Sequence, residues 1–267
     1  DLLFVLVFHW GVAGAAVATV IAQYLSGVGL GLYVLLRCRE LLPRRSELRF
    51  SGRILRELLD LSLLTCAQQS AMNFGILLVQ RLVDSFGPVI MAAFAAAVKI
   101  DSFAYLPVQD FGNAFSTFAA QNYGAGQTER LRQGFRTATA VSAAFSCAIS
   151  AMVVLFARPL MRIFVQAGET EVLAAGVRYL RIEGAFYAGI GCLFLLYGFY
   201  RAVQRPGMSV VLTVISLGTR VALAYALAGP VGEVGIWMAI PIGWFLADAT
   251  GYGYYLRHRR ALLGENE

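Results

Sequence analysis

The chain has 267 residues, 58% of them hydrophobic and only 14% charged, with 22 Lys and Arg against 16 Asp and Glu. A soluble domain carries about 25% charged residues, so this composition, with a mean hydropathy of +0.66, excludes an ordinary soluble enzyme or binding domain. Apolar runs of about 20 residues recur along it, which marks an all-α polytopic membrane protein.

The net charge of +6 is not a nucleic-acid signal, because the arginines collect in short segments between apolar runs. That is the pattern of cytoplasmic loops under the positive-inside rule. Cys38, Cys66, Cys147 and Cys192 form no CxxC and have no nearby His. They suggest neither a disulfide framework nor a metal site, and read as small packing residues.

In chain order, Asp1–Trp10 reads as the end of a helix. The chain opens inside an apolar run without an initiator Met. A fragment of a longer protein, or one trimmed at its N-terminus, is expected here, not a signal peptide. Gly11–Leu36 is the first complete span, with Gly27 and Gly31 in the GxxxG spacing that lets helices approach closely. Arg37–Arg56 is arginine-rich and broken by Pro43, as expected of a cytoplasmic linker at the lipid headgroups. Glu57–Phe86 is the next helix, with Gln68, Gln69, Ser70 and Asn73 in its middle. Gln69 and Asn73 are four apart and share a face.

Gly87-Pro88 predicts a short external turn, and the helix after it runs to Tyr123 and stops at Gly124-Ala-Gly126. Arg130, Arg132 and Arg136 then mark a cytoplasmic turn. Thr137–Phe156 is a span rich in Ala and Ser, and Arg158–Glu171 is expected to be an external loop. Val172–Tyr200 is the next helix. Arg201 and Arg205 bound a turn, and Pro206 suits the first position of the following helix. Gly207–Ala228 spans again, Gly229-Pro230 is expected to turn outside, and Val234–Leu256 is the last span. Arg257, His258, Arg259 and Arg260 place the C-terminus in the cytoplasm. The pattern predicts about seven transmembrane helices in a plasma (inner) membrane.

The central stretch is Ala92–Gly126. It is apolar, yet it holds Lys99, Asp101, Asp110, Pro107, Gln109 and Asn113. Glu183, Arg220 and Asp248 are further charges inside predicted spans. Charges in hydrocarbon are costly and usually face a cavity or another polar group. Pairs are therefore expected, Arg220 with Glu183 or Asp248 among them. Lys99 and Asp101 are two apart and point to different faces, so each needs its own partner. A carboxylate removed from water can bind and release a proton, or hold Na⁺ with neighbouring oxygens. The plainer alternative is that the pairs only hold helices together. Tyr187 and Tyr197, with Phe103 and Tyr105, can stack on a flat cationic solute or simply pack. Pro107 and Pro241 break backbone hydrogen bonds inside spans and are hinge candidates. No nucleophile–base arrangement stands out: His9 and His258 are badly placed, and Walker, HExxH and GxSxG motifs are absent. Neither an enzyme nor a cofactor is expected.

Four strings carry a resemblance: GVAGAAVATVIAQ (Gly11–Gln23), the central stretch with TERLRQGFR after it, Tyr200–Leu227, and GIWMAIPIGWFLAD (Gly235–Asp248). In this order they resemble the multidrug and toxic compound extrusion (MATE) family, in its DinF/NorM-like branch. The resemblance implies two six-helix lobes that rock about a central cleft, exporting amphipathic or cationic compounds in exchange for H⁺ or Na⁺. Residues 1–36 then match the end of the first lobe, 37–56 the inter-lobe linker, 57–260 the second lobe and 261–267 a cytoplasmic tail. The partners implied are small organic cations, the bilayer and the first lobe.

Two departures matter. The acid that many members carry on their first helix lies outside this sequence. Where members with a second-lobe cation site have an acid in the seventh helix, this chain has Gln68, Gln69 and Asn73; in the tenth helix it has Glu183, nearer the start. The cavity and coupling candidates are Gln69, Asn73, Lys99, Asp101, Asp110, Glu183, Tyr187, Tyr197, Arg220 and Asp248. Rival readings are a lipid-linked oligosaccharide flippase of the same superfamily, which needs a cluster of basic residues, and a membrane-embedded enzyme.

Overall fold

The computed structural model describes residues 3–38, 50–166 and 168–263, and it divides into two compact units, Asp1–Arg56 and Glu57–Glu267. Most of the predicted linker, 39–49, and residues 264–267 of the predicted tail lie outside the described residues.

In the first unit a single π-helical turn, Leu3–Val7, precedes α1 (Gly11–Arg37). The turn is held by edge contacts of Phe4 with Phe8 and Trp10, at 5.6 and 5.4 Å between ring centres. Gly11 has φ +54°, a backbone shape that glycine adopts without steric cost. Only Gly14 and Ala18 of α1 are buried within the structure, so its apolar surface is open. That is how a helix looks when its solvent is lipid or other helices.

The second unit is built from α2 (Gly52–Asp84), α3 (Pro88–Gly124), α4 (Thr128–Arg162), α5 (Thr170–Glu183), α6 (Tyr187–Ala202), α7 (Pro206–Val231) and α8 (Glu233–Leu263). Among the described residues six segments are long and apolar enough to cross a membrane: α1, α3, α4, α5 with α6, α7 and α8. α2 is not one of the six, since the amides in its middle dilute its apolar run.

Turn chemistry sets most boundaries. Gly87 at φ +94° precedes Pro88, the first residue of α3, where a missing N–H costs nothing. Gly126 at φ +66° ends that helix, and Pro206 opens α7. Two predicted loops are corrected. Arg158 and Pro159 belong to α4, which continues to Arg162 with a kink at Phe156 (φ −100°, ψ 15°). A proline clashes with the carbonyl four residues back, so it bends the helix just upstream of itself. Pro230 lies inside α7, and the turn falls at Gly232, φ +70°. The long helix predicted from Val172 is also broken in two, by a 3₁₀ turn at Gly184–Phe186.

The helices pack through small residues. A Cβ on Gly198 of α6 would lie 2.5 Å from the Gly112 carbonyl of α3, so the two backbones are nearly in contact. Ser142, Ser146 and Ser150 form a buried row on α4 at a spacing of four. Ser142 and Ser146 face Gly191 of α6. Around them sit aromatic rings, with Phe135, Phe199 and Tyr255 meeting at 4.5–5.4 Å. Tyr200 ties α6 to α8 by donating its hydroxyl to the Gly251 carbonyl at 2.6 Å.

Candidate functional site

Two polar regions lie between the helices of the second unit, and α3 and α6 contribute to both.

The first is a carboxylate cluster. Asp101, on the buried face of α3, is only 2% exposed. Its Oδ2 accepts a hydrogen bond from the Tyr179 hydroxyl of α5 at 2.7 Å, and its Oδ1 accepts one from Tyr187, the first residue of α6. Glu183 ends α5, one turn beyond Tyr179, and is 6% exposed. It lies within Coulombic range of Asp101 and Arg220, and its Oε2 has no hydrogen-bond partner among the described residues. The 3₁₀ turn holds Glu183 and Tyr187 on either side of a local break, with Gly184 packed against Val153. Tyr179 is fixed edge-on against Trp237 and Phe94, at 5.4 and 5.5 Å. Its hydroxyl is thus aimed by packing.

The predicted ion pair of Arg220 is not formed. Among the described residues its guanidinium has no carboxylate within 4 Å, and its carbon instead stands 5.9 Å from the Trp244 ring centre. Arginine over the indole face is a cation–π contact, and the aromatic stands where an acid was expected. Asp248 on α8 is 9% exposed, and its Oδ1 has no partner among the described residues. It faces Gly189 of α6.

The second region is a cavity of about 210 Å³ between α2, α3 and α6. Gln68 and Gln69 enter from α2, Gln109 and Asn113 from α3, and Tyr197 and Arg201 from α6. Thr65, Met72 and Phe194 complete its wall. Arg201 donates to Asn113 Oδ1 and to the Tyr197 carbonyl, both at 3.2 Å.

Of the predicted residues, Asp101, Glu183 and Tyr187 come together in the cluster, with Arg220 in electrostatic reach. Gln69 and Tyr197 line the cavity. Lys99, Asp110 and Asn73 are exposed and join neither region. α3 runs on through Pro107, which is exposed, and α8 through Pro241, which is buried. Tyr179 and Arg201 were not singled out beforehand. Tyr179 could have been found by its spacing of four from Glu183. Among the described residues no group of three or more His, Cys, Asp or Glu is placed to hold a metal ion.

Long apolar helices enclosing buried carboxylates and amides define a polytopic helical membrane protein with polar groups inside its bundle. The MatE family model matches residues 64–226, and the chain belongs to that family, one of transporters and not of enzymes. It is similar to YpnP of Bacillus subtilis (strain 168), named a probable multidrug resistance protein, with 29% identity over 257 residues. That match covers 95% of this chain and 56% of the relative. It is 22% identical over 233 residues to the probable multidrug resistance protein NorM of Thermotoga maritima, covering 86% of this chain and 50% of that protein. A solved MOP-superfamily transporter from Pyrococcus furiosus Vc1 superposes with a TM-score of 0.90 at 21% identity, over 100% of this chain and 60% of that one. This last likeness shows the fold. The chain spans about half the length of the curated relatives it matches.

Proposed function

We propose that the second unit is one lobe of a secondary exporter that moves amphipathic compounds out across the inner membrane in exchange for H⁺ or Na⁺. In this reading residues 1–36 close the preceding lobe, 37–56 link the two, and the C-terminus is cytoplasmic. The observation that carries it is the pair of carboxylates, Asp101 and Glu183, kept almost entirely buried in an apolar bundle. Burying a carboxylate away from water is costly unless it is paired or hydrogen-bonded. A protein that retains two of them, without an ion pair among the described residues, has a use for their charge.

The chemistry follows from the donors. A proton or Na⁺ arriving at Asp101 competes with the Tyr179 and Tyr187 hydroxyls for the same two oxygens. Rearranging those bonds moves the end of α5 and the start of α6. α3 and α6 are packed backbone to backbone at Gly112 and Gly198, so a shift at the cluster is transmitted along both helices to the cavity wall. A ligand can shift such an equilibrium only by its differential affinity for the two arrangements. The ion and the solute would each supply that difference at opposite ends of α3 and α6. Pro107 stands between the two regions and serves as the flexible point of α3.

Probable multidrug resistance proteins among its relatives favour export of drug-like solutes. The test is dye efflux from proteoliposomes of the whole protein under an imposed H⁺ or Na⁺ gradient. Efflux accelerated by one gradient supports the reading, and efflux indifferent to both refutes it.

A further inference from the structure

The cavity between α2, α3 and α6 has a sign of charge opposite to the one a cationic drug needs. Among the described residues its wall holds one ionised side chain, Arg201, and no carboxylate. Its remaining polar groups are neutral: four amides, the Thr65 hydroxyl and the Tyr197 side chain.

Arginine at the end of a membrane helix has an ordinary explanation. It extends past the helix to the headgroups and snorkels. Arg201 does the reverse. It is the penultimate residue of α6, yet its Nε–H bonds back to the carbonyl of Tyr197, four residues earlier. Its Nη2 bonds to Asn113 of α3. The guanidinium is therefore turned inward and held by two neutral oxygens. Asp110 is three residues before Asn113 on α3, but it is exposed and makes no ion pair with Arg201 within 4 Å. Among the described residues two of the five guanidinium N–H groups are thus used for positioning, which leaves N–H groups on both terminal nitrogens to bind a carboxylate or phosphate bidentately.

At about 210 Å³ the cavity has room for the charged group of a solute. Phe194 and Tyr197, 6.2 Å apart and edge-to-face, provide an apolar wall for what is attached to it.

We propose that this cavity binds an oxyanion, the carboxylate or phosphate of an amphipathic solute, with Arg201 as the anion-binding residue and Gln68, Gln69, Gln109 and Asn113 completing the hydrogen bonding. The proposal rests on the reading that this unit carries solutes, and it names the charge of the solute.

The experiment uses the whole protein in dodecylmaltoside and two planar dyes of similar frame and opposite charge, fluorescein and rhodamine 123. Binding is read by fluorescence anisotropy. The wild type is expected to bind fluorescein more tightly than rhodamine 123. Arg201→Gln is expected to weaken fluorescein at least about tenfold, the loss expected for a charge-assisted hydrogen bond. Rhodamine binding should hold or tighten. Arg201→Lys should recover only part of the anion affinity, because a point charge lacks the bidentate fork. Gln69→Glu keeps the arginine but places a carboxylate in the same cavity, and should weaken fluorescein as well.

Size-exclusion profiles identify any variant that misfolds. If Arg201→Gln misfolds, the comparison of Gln69→Glu with wild type decides. Fluorescein binding within twofold of wild type in folded Arg201→Gln and Gln69→Glu, or rhodamine bound as tightly as fluorescein by the wild type, overturns the proposal. Displacement of fluorescein by phosphatidylglycerol and not by phosphatidylcholine would uphold the site and assign the oxyanion to lipid. Gradient-driven efflux of rhodamine alongside Arg201-independent fluorescein binding would sink this proposal and leave the exporter reading intact. Arg201-dependent binding without gradient-driven efflux would do the opposite.

Discussion

Removing the Tyr179 hydroxyl tests whether Asp101 is held by two O–H donors. Tyr179→Phe keeps the ring, which is 2% exposed and wedged between Trp237 and Phe94. The packing is retained, so the change reads the hydroxyl's polar contacts, the 2.7 Å bond to Asp101 and the contact with Glu183, and the double-mutant cycle below isolates the first. A hydrogen bond to a charged partner is worth about 1.5–3 kcal/mol, and a neutral one about 0.5–1.5 kcal/mol. A loss in the upper range is expected, since Asp101 stays buried with one donor in place of two. The assay is reversible unfolding by SDS titration in mixed micelles, run as a double-mutant cycle with Asp101→Asn. A coupling of about 1 kcal/mol or more is expected for residues in direct contact. Costs that add to within about 0.3–0.5 kcal/mol would mean the two residues do not interact, and the reasoning about the cluster would fail.

Four further outcomes follow from the packing and the backbone. Gly198→Ala should destabilise the second unit by about 1–3 kcal/mol, because the new methyl meets the Gly112 carbonyl, which is backbone and cannot turn aside. Gly218→Ala, with nothing among the described residues within 4 Å of its added methyl, should instead be neutral or stabilising by up to about 1 kcal/mol in the same titration. Gln204 occupies the left-handed region at φ +57° in the turn between α6 and α7. Gln204→Gly should therefore raise stability by about 1 kcal/mol, seen as a later unfolding midpoint. Tyr200→Phe removes the 2.6 Å bond that ties α6 to the Gly251 carbonyl, and should cost about 1 kcal/mol; that carbonyl lies inside α8 and keeps its intrahelical bond.

Helix boundaries were legible in the sequence wherever local chemistry decides them. Gly87-Pro88, Gly126 and Pro206 set their turns by backbone preference alone. The boundaries were misread where a proline is absorbed: α4 carries Pro159 by kinking at Phe156, and α7 carries Pro230 one residue before its end. The break between α5 and α6 was not visible, since Gly184 looks like any small packing residue until Val153 is set beside it.

The same division runs through the polar residues. Spacing alone predicts that Lys99 and Asp101 face opposite ways, and one is exposed while the other is buried. Their partners lie far away in the chain. Tyr179 and Tyr187 are 78 and 86 residues from Asp101, and no periodicity carries that information. Arg220 was expected to find an acid because a buried charge needs compensation. Trp244 supplies an aromatic face instead. Arg201 read as an ordinary arginine at a turn, and its bond to Asn113 of α3, 88 residues away, is what turns it toward the cavity.

The most direct measurement is the ratio of gradient-driven to undriven dye efflux from proteoliposomes, compared between the wild-type protein and Asp101→Asn/Glu183→Gln. A ratio well above one is expected for the wild type under an H⁺ or a Na⁺ gradient, falling to one in the double variant while dye binding persists. A double variant that keeps the wild-type ratio would contradict it, because the buried carboxylates would then have no part in coupling.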